Sequence, residues 1–206
     1  MGGHLRTLFA IYDVNDMIRL DTPWWTYGAI DAVEEHLRRC DGAARVFEYG
    51  SGASTIWLGQ RSGEVHSVEH DGGFAAVMRQ LLTDAGLDGT VTLIEVAAVP
   101  SADPLTRSGR KGEGGVDYTD YVRCIEGVGG PFDLVVVDGR ARVACGLAAI
   151  PHLAPGGVIV FDDSQRPRYR DGLIGGGLSV RRFRGWAPSL PTPRETAILG
   201  PAAESE

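Results

Sequence analysis

A glycine-rich turn and a downstream acid are the first features of this sequence that could bind a ligand. In the turn, residues 48–55, Gly50 and Gly52 would let the backbone approach a bound group closely. A helix that starts directly after the turn would offer free N–H groups to a carboxylate or phosphate. Glu69 follows about 20 residues later, where a carboxylate can accept hydrogen bonds from both hydroxyls of a ribose. Together, the turn and the acid predict a site for a ribose-containing ligand.

Further acids follow two apolar runs. Asp138 directly follows the run 132–137, and Asp162 and Asp163 directly follow the run 158–161. Ligands of parallel sheets bind outside the carboxyl ends of the strands. Buried acids are costly unless they are paired, hydrogen-bonded or bound to a metal, so these three predict a polar site on the same rim.

The elements that would position these residues alternate between helix and strand. Thr22 is suited to cap a helix that runs to Arg39, with Pro23 in its first turn. The further predicted strands are 46–49, 65–68, 91–96, 132–137 and 158–161, with weaker ones at 178–183 and 196–199, and further helices begin near residue 54 and cover 74–82 and 141–153. This alternation predicts parallel strands with helical crossovers.

Three segments outside this pattern have more than one interpretation. Residues 98–130 form a long irregular stretch, and its Tyr118 and Tyr121, with Lys111, either close over a substrate or pack on the sheet as a helical turn. The cluster 24–27, with two tryptophans, forms a wall of the acceptor pocket, covers a dimer contact or packs against the sheet. The glycines of 172–177 predict a mobile connection.

Composition restricts the partners. The net charge of −7 disfavours a nucleic-acid partner, because affinity for a phosphate backbone comes from clustered Lys and Arg. A local group of arginines predicts either a solvated face or an anionic substrate: Arg166, Arg168, Arg170, Arg181, Arg182 and Arg184. No run of apolar residues is long enough to cross a bilayer, and the first residues lack the apolar stretch of a secretory signal. We therefore expect no membrane contact and a cytoplasmic location.

Four motifs, taken in order, resemble the class I S-adenosylmethionine-dependent methyltransferases. They are the turn 48–54, Glu69, the strand that ends at Asp138, and the segment 153–160. The resemblance covers residues 45–163 and departs from the commonest glycine pattern at Ala53 and Ser54. It implies a Rossmann-like three-layer α/β/α sandwich, whose mostly parallel seven-stranded sheet has an antiparallel C-terminal strand. The length of 206 residues favours a single domain over 1–206, with an N-terminal helical segment (1–44), a cofactor-binding core (45–163) and C-terminal strands (164–206).

The same resemblance implies the cofactor contacts. The methionine part would lie on the glycine turn beside Glu48 and Ser54, the ribose on Glu69, and the adenine near His70 and the end of the third strand. The predicted cofactor-binding residues are Glu48, Gly50, Ser51, Gly52, Ser54, Glu69, His70, Ala97 and Asp138.

In metal-dependent O-methyltransferases of this class, an acid after the fourth strand and an acid pair after the fifth hold a divalent ion. Asp138, Asp162 and Asp163 have similar spacing, so the resemblance implies a catalytic Mg²⁺ site there. In the alternative interpretation, Asp138 only borders the cofactor while the other two cap a turn or pair with Arg140 or Arg142. The proton acceptor would be Asp138, directly or through the metal, with His152 as a second candidate.

The resulting hypothesis is O-methylation of a small molecule, with a homodimer as one possible assembly. N-methylation is close behind. The alternatives from other classes are an NAD-dependent oxidoreductase, which would share the turn and the ribose acid, and a methyltransferase-like protein that uses the pocket for binding or non-methylating chemistry.

Overall fold

The structure, a computed structural model, describes residues 13–170 and 177–201. The N-terminal residues 1–12 and most of the predicted connection 172–177 lie outside the described residues. The helices are α1 (Val14–Arg19), α2 (Tyr27–Arg39), α3 (Ala53–Gly59), α4 (Gly72–Asp84), α5 (Thr119–Val128), α6 (Arg142–Ala149) and α7 (Pro167–Arg170), and a 3₁₀ helix (Ile150–His152) follows α6. The strands are β1 (Arg45–Tyr49), β2 (Glu64–Glu69), β3 (Val91–Glu95), β4 (Val99–Pro100), β5 (Val116–Asp117), β6 (Phe132–Val137), β7 (Leu153–Phe161), β8 (Ser179–Gly185) and β9 (Arg194–Gly200).

The main sheet has seven strands in the order β3-β2-β1-β6-β7-β9-β8. The strands from β3 to β7 in this order are parallel, and β9 is antiparallel to both of its neighbours. This arrangement confirms the predicted Rossmann-like sheet with an antiparallel C-terminal strand. Tyr49 pairs with Val68 on one side and with Val137 on the other. The residues that follow these three strands therefore leave the sheet at the same edge.

Helices cover both faces of this sheet, as a three-layer sandwich requires. On one face, α5 and α6 bury a cluster that includes Phe47, Tyr49 and Tyr121. On the other face, α2, α3 and α4 bury a cluster that includes Val46 and Trp57. Consecutive residues of β1 thus serve opposite layers, because side chains alternate along a strand.

The segment before α2 differs from the prediction. The helix begins at Tyr27 rather than just after Thr22. The backbone N–H of Thr26 donates to Thr196 Oγ1 at 3.1 Å, and that of Tyr27 donates to the Trp186 carbonyl at 3.1 Å. Contacts with the C-terminal strands therefore hold residues 22–26 outside the helix, where local capping signals alone favoured an earlier start.

The long segment between β3 and β6 contains a short two-stranded ladder and a helix. β4 and β5 form a two-stranded antiparallel ladder, and α5 follows directly. Tyr118 and Tyr121 are buried against the sheet, so the packing interpretation of these tyrosines is the one that the structure supports.

Among residues 13–170 and 177–201, no helix is both long enough and apolar enough to cross a membrane.

Candidate functional site

A cavity of about 390 Å³ lies at the carboxyl ends of β1, β2 and β6. Its lining consists of Trp24, residues 50–54, 69–71, Phe74 and 138–140. The volume falls within the range of roughly 300–1,000 Å³ that is typical of small-molecule sites. The topology thus brings the glycine turn, the predicted ribose acid and Asp138 around one opening.

Glu69 ends β2 at the base of this cavity and is 4% exposed. Its Oε2 accepts from the backbone N–H and the hydroxyl of Ser51, at 3.1 and 2.9 Å. Its Oε1 accepts from the backbone N–H groups of His70 and Asp71, at 2.8 and 2.9 Å. Burial acts to raise the pKa of Glu69, but the donors from His70, Asp71 and Ser51 hold it below the ordinary value. The carboxylate is therefore ionised and fixed in orientation at neutral pH, as an acceptor for hydroxyl donors should be.

Glu48 lies beneath the turn rather than in the cavity lining. Its side chain is fully buried, with Oε1 2.5 Å from the Ser54 hydroxyl and Oε2 at 2.6 and 2.7 Å from those of Thr55 and Ser67. Burial raises the pKa of Glu48 to about 7, although the three hydroxyl donors oppose this shift. These bonds tie the turn to α3 and β2, so Glu48 sets the shape of the turn from below.

The remaining predicted cofactor residues divide into two groups. Ser51, Gly52, Ser54 and His70 line the cavity together with Gly50. Ala97 is exposed and lies outside the lining. Asp71 and Phe74, at the start of α4, do line the cavity although the sequence analysis did not single them out. Asp71 caps α4 by accepting from the Phe74 N–H at 2.9 Å, which fixes where the helix begins.

Asp138 directly follows β6, with its side chain 24% exposed at the rim of the cavity. Burial raises the pKa of Asp138, while the guanidinium of Arg142 acts in the opposite direction. One of its carboxylate oxygens lies 2.7 Å from Arg142 Nη2. An accessible carboxylate with a raised pKa, held at the rim of a cavity, is suited to accept a proton.

The predicted Mg²⁺ site is not supported by the geometry, which is a correction to the sequence analysis. Arg142, 8% exposed, lies among Asp138, Asp162 and Asp163, with Nη1 3.5 Å from an Asp162 carboxylate oxygen and 4.0 Å from one of Asp163. Asp163 also pairs with Arg166. Within the described part of the chain, no group of three acidic, histidine or cysteine side chains is placed to hold a metal ion. The alternative that pairs the acids with Arg142 matches the structure, and the residues present do not fit a divalent ion.

Asp162 is held on a second side by β9. The Thr196 hydroxyl donates to Asp162 Oδ1 at 2.9 Å. Burial and the neighbouring carboxylate of Asp138 raise the pKa of Asp162, against the effect of Arg142. His152, the second candidate base, precedes β7 and so lies at the opposite edge of the sheet from the cavity.

A loop contact, which the sequence did not reveal, reaches this rim. Arg140 lines the cavity, and its Nε donates to Glu113 Oε1 at 3.1 Å. Glu113 also accepts from the hydroxyls of Ser108 and Tyr118, the latter at 3.2 Å. The irregular segment before α5 is therefore fastened to the rim through one carboxylate.

Trp24 and Trp25 have different surroundings. Trp24 lines the cavity and its indole N–H donates to the Ser189 hydroxyl at 3.0 Å, whereas Trp25 is fully buried and packs edge-on against Trp57. The aromatic cluster thus contributes one residue to the cavity wall and one to the core.

Residues 47–164 match the profile of a family described as a methyltransferase domain. This match spans more than half of the 206 residues, so the chain belongs to that family. The predicted membership of the class I S-adenosylmethionine-dependent methyltransferases is confirmed. Comparison with curated proteins found no significant match.

Several solved structures share the fold. An O-methyltransferase from Bacillus cereus in complex with SAH superimposes with a TM-score of 0.64 at 18% identity, covering 94% of this chain and 93% of that chain. The O-methyltransferase TomG from Streptomyces achromogenes, involved in tomaymycin synthesis and solved with SAM, gives 0.63 at 19%, covering 96% and 94%. An rRNA methylase from Streptococcus thermophilus gives 0.59 at 14%, covering 84% and 95%. At these identities the likeness establishes the fold alone.

Proposed function

We propose that this protein transfers the methyl group of S-adenosylmethionine to a hydroxyl of a small molecule, and that the cofactor binds in the 390 Å³ cavity. One observation carries the proposal. The glycine turn, the ionised Glu69 and the rim carboxylate Asp138 all line the same opening at the carboxyl ends of adjacent parallel strands. This opening therefore offers a binding site for a nucleoside cofactor and a carboxylate that can accept a proton.

In this proposal the ribose hydroxyls donate to Glu69, whose carboxylate orientation is already fixed by Ser51 and two backbone N–H groups. The amino-acid end lies along the turn that includes Gly50 and Gly52. The aromatic rings of His70 and Phe74 border the adenine. Each of these residues lines the cavity, so the cofactor can touch all of them without a change of fold.

The transfer itself requires mainly alignment of the sulfonium methyl with the acceptor oxygen at about 3–3.5 Å. The bond from sulfur to the methyl carbon breaks as the bond from oxygen to carbon forms, and S-adenosylhomocysteine leaves. The hydroxyl proton goes to Asp138, whose pKa is raised by burial. This proton transfer is the reason to favour a hydroxyl acceptor, because an oxygen nucleophile must lose its proton.

A small acceptor is supported by the ion pairs that the arginines near the C-terminal strands form. Arg182 and Arg184 both pair with Glu195, and Arg166 pairs with Asp163. Cations that lie beside internal acids contribute less to the attraction of a phosphate backbone than unpaired cations do. With a net charge of −7, the protein would repel nucleic acid as a whole.

Methyl transfer from labelled S-adenosylmethionine to a panel of phenols, other alcohols and amines tests this proposal, with structured RNA as a separate arm. Asp138→Asn should lower the transfer rate by about 10²–10⁴-fold while S-adenosylhomocysteine still binds. Asp133→Asn, at the other end of β6, is the matched control and should keep its rate. Transfer to RNA but to no small molecule would overturn the proposal, and cofactor binding without any transfer would favour the binding protein considered above.

The family match decides against the NAD-dependent oxidoreductase. The single domain over 1–206, the homodimer and the cytoplasmic location stay predictions.

A further inference from the structure

The acids expected to hold a metal instead surround one guanidinium. Asp138 and Asp162 leave the neighbouring strands β6 and β7, and Arg142 projects between them from the first turn of α6. The side chain of Arg142 is 10% exposed, so water screens these contacts little. A positive charge is thus built into the chain at this point.

The guanidinium of Arg142 lies among oxygens of both strand ends. Nε donates to the Gly139 carbonyl at 3.1 Å, Nη1 to the Asp162 carbonyl at 2.7 Å and Nη2 to the Asp138 carbonyl at 2.8 Å. Nη2 also lies 2.7 Å from a carboxylate oxygen of Asp138, and Nη1 lies 3.5 Å from one of Asp162. The planar group with its five donors therefore gathers the carbonyls and carboxylates of both strand ends.

Two further guanidinium groups lie beside the third acid. Asp163, the third acid, lies 3.5 Å from Arg194 Nη1 and pairs with Arg166. Three carboxyl groups thus face three guanidinium groups. A divalent ion would add two positive charges beside these three cations and would have to displace a buried side chain whose donors would then lose their partners.

We infer that Arg142 is a positioning residue that takes the structural place of a divalent ion, and that methyl transfer by this protein needs no metal. The inference rests on the proposed function, because it assigns the proton to Asp138. Arg142 contacts both the backbone carbonyl and the carboxylate of Asp138, a residue that lines the cavity, so it restrains the position of that carboxylate. Arg142 also joins Asp138 to Asp162, the residue that follows β7, as a bridging cation would.

The first test uses the unaltered protein with S-adenosylhomocysteine bound, and Mn²⁺ as the probe. Electron paramagnetic resonance should detect no saturable Mn²⁺ site, and the transfer rate should be the same in EDTA and in Mg²⁺. A stoichiometric Mn²⁺ site that disappears in Asp162→Asn, or a rate that EDTA abolishes and Mg²⁺ restores, would overturn the inference. Failure of S-adenosylhomocysteine to bind would instead overturn the proposed function, so the two outcomes can be separated.

The second test replaces the cation. Arg142→Met keeps most of the side-chain volume and should lower the transfer rate by about 100-fold with little change in cofactor affinity. Because it leaves Asp138 and Asp162 without their cation, this variant should also gain Mn²⁺ binding and be partly rescued by Mg²⁺. A purely packing role would produce neither effect, so absence of both in a folded variant contradicts the inference. Arg142→Lys should retain more activity than Arg142→Met, and Arg166→Met, which removes a partner of Asp163 only, is the control and should not gain a metal site.

Discussion

Gly50 and Gly139 lie against each other at the rim of the cavity. A Cβ on Gly50 would be 2.5 Å from the Cα of Gly139, and a Cβ on Gly139 would be 2.1 Å from the hydroxyl of Tyr121. Gly50 also has a φ of +93°. The residues after β1 and β6 can approach this closely only because neither has a side chain, and both residues line the cavity.

Gly50→Ala should therefore destabilise the fold, because the added methyl meets backbone rather than a movable side chain. We expect a loss of roughly 3 kcal/mol or more in the free energy of unfolding, measured by urea denaturation. Gly89→Ala is the matched control, since a Cβ there meets nothing within 4 Å, and it should change stability by about 0.5 kcal/mol or less. Equal stability of the two variants would contradict the close approach.

The buried carboxyl of Glu48 should make stability depend on pH. Burial raises its pKa to about 7 from 4.5, so between these values the folded protein keeps a proton that the unfolded chain has released. This proton uptake contributes to the free energy of unfolding. The contribution is fully present below pH 4.5 and is lost as the pH rises through 7, which lowers the free energy of unfolding by on the order of 3 kcal/mol. Glu48→Gln stays neutral, so its stability relative to the wild type should rise between about pH 5 and about pH 8. Denaturation curves that keep a constant offset over this window would show that Glu48 does not titrate there.

The contact between Glu113 and Arg140 should control the order of the loop beside the site. Glu113→Gln removes the charge that Arg140 and Arg110 face and weakens the bonds from Ser108 and Tyr118. Amide hydrogen exchange over residues 101–118 should become about tenfold faster. Glu126→Gln, whose partner Arg123 is exposed on α5, should leave exchange in this loop unchanged. Slow exchange in both variants would mean that the loop is held by other contacts.

The strands of the sheet could be predicted from the sequence where an apolar run fits only a buried strand. The strand 132–137 has the predicted bounds, because a run that is apolar except for Asp133 is suited to a central position in a parallel sheet. β7 begins at Leu153 rather than at Val158, and its pairing with β6 has a register irregularity between Phe132 and Leu134. α6 ends at Ala149, since Pro151 cannot continue an α-helix.

The site was predictable as far as strand ends determine it. Glu69 and Asp138 meet at one edge because the register of three parallel strands places them there. The spacing of Asp138, Asp162 and Asp163 did not reveal what lies between them, because an arginine and a divalent ion satisfy the same carboxylates. Glu113 gave no local signal, since its position depends on the path of a loop that only tertiary contacts define.

The central claim, that the cavity binds S-adenosylmethionine through Glu69, is tested most directly by isothermal titration with S-adenosylhomocysteine. Glu95 provides a matched control, because it pairs in register with Glu69 on β3 but faces Arg79 outside the cavity. We predict saturable binding to the wild type and to Glu95→Gln, and an affinity about 10–100-fold lower for a folded Glu69→Gln. Absence of binding to the folded wild type, or equal affinities for the two variants, would contradict the account.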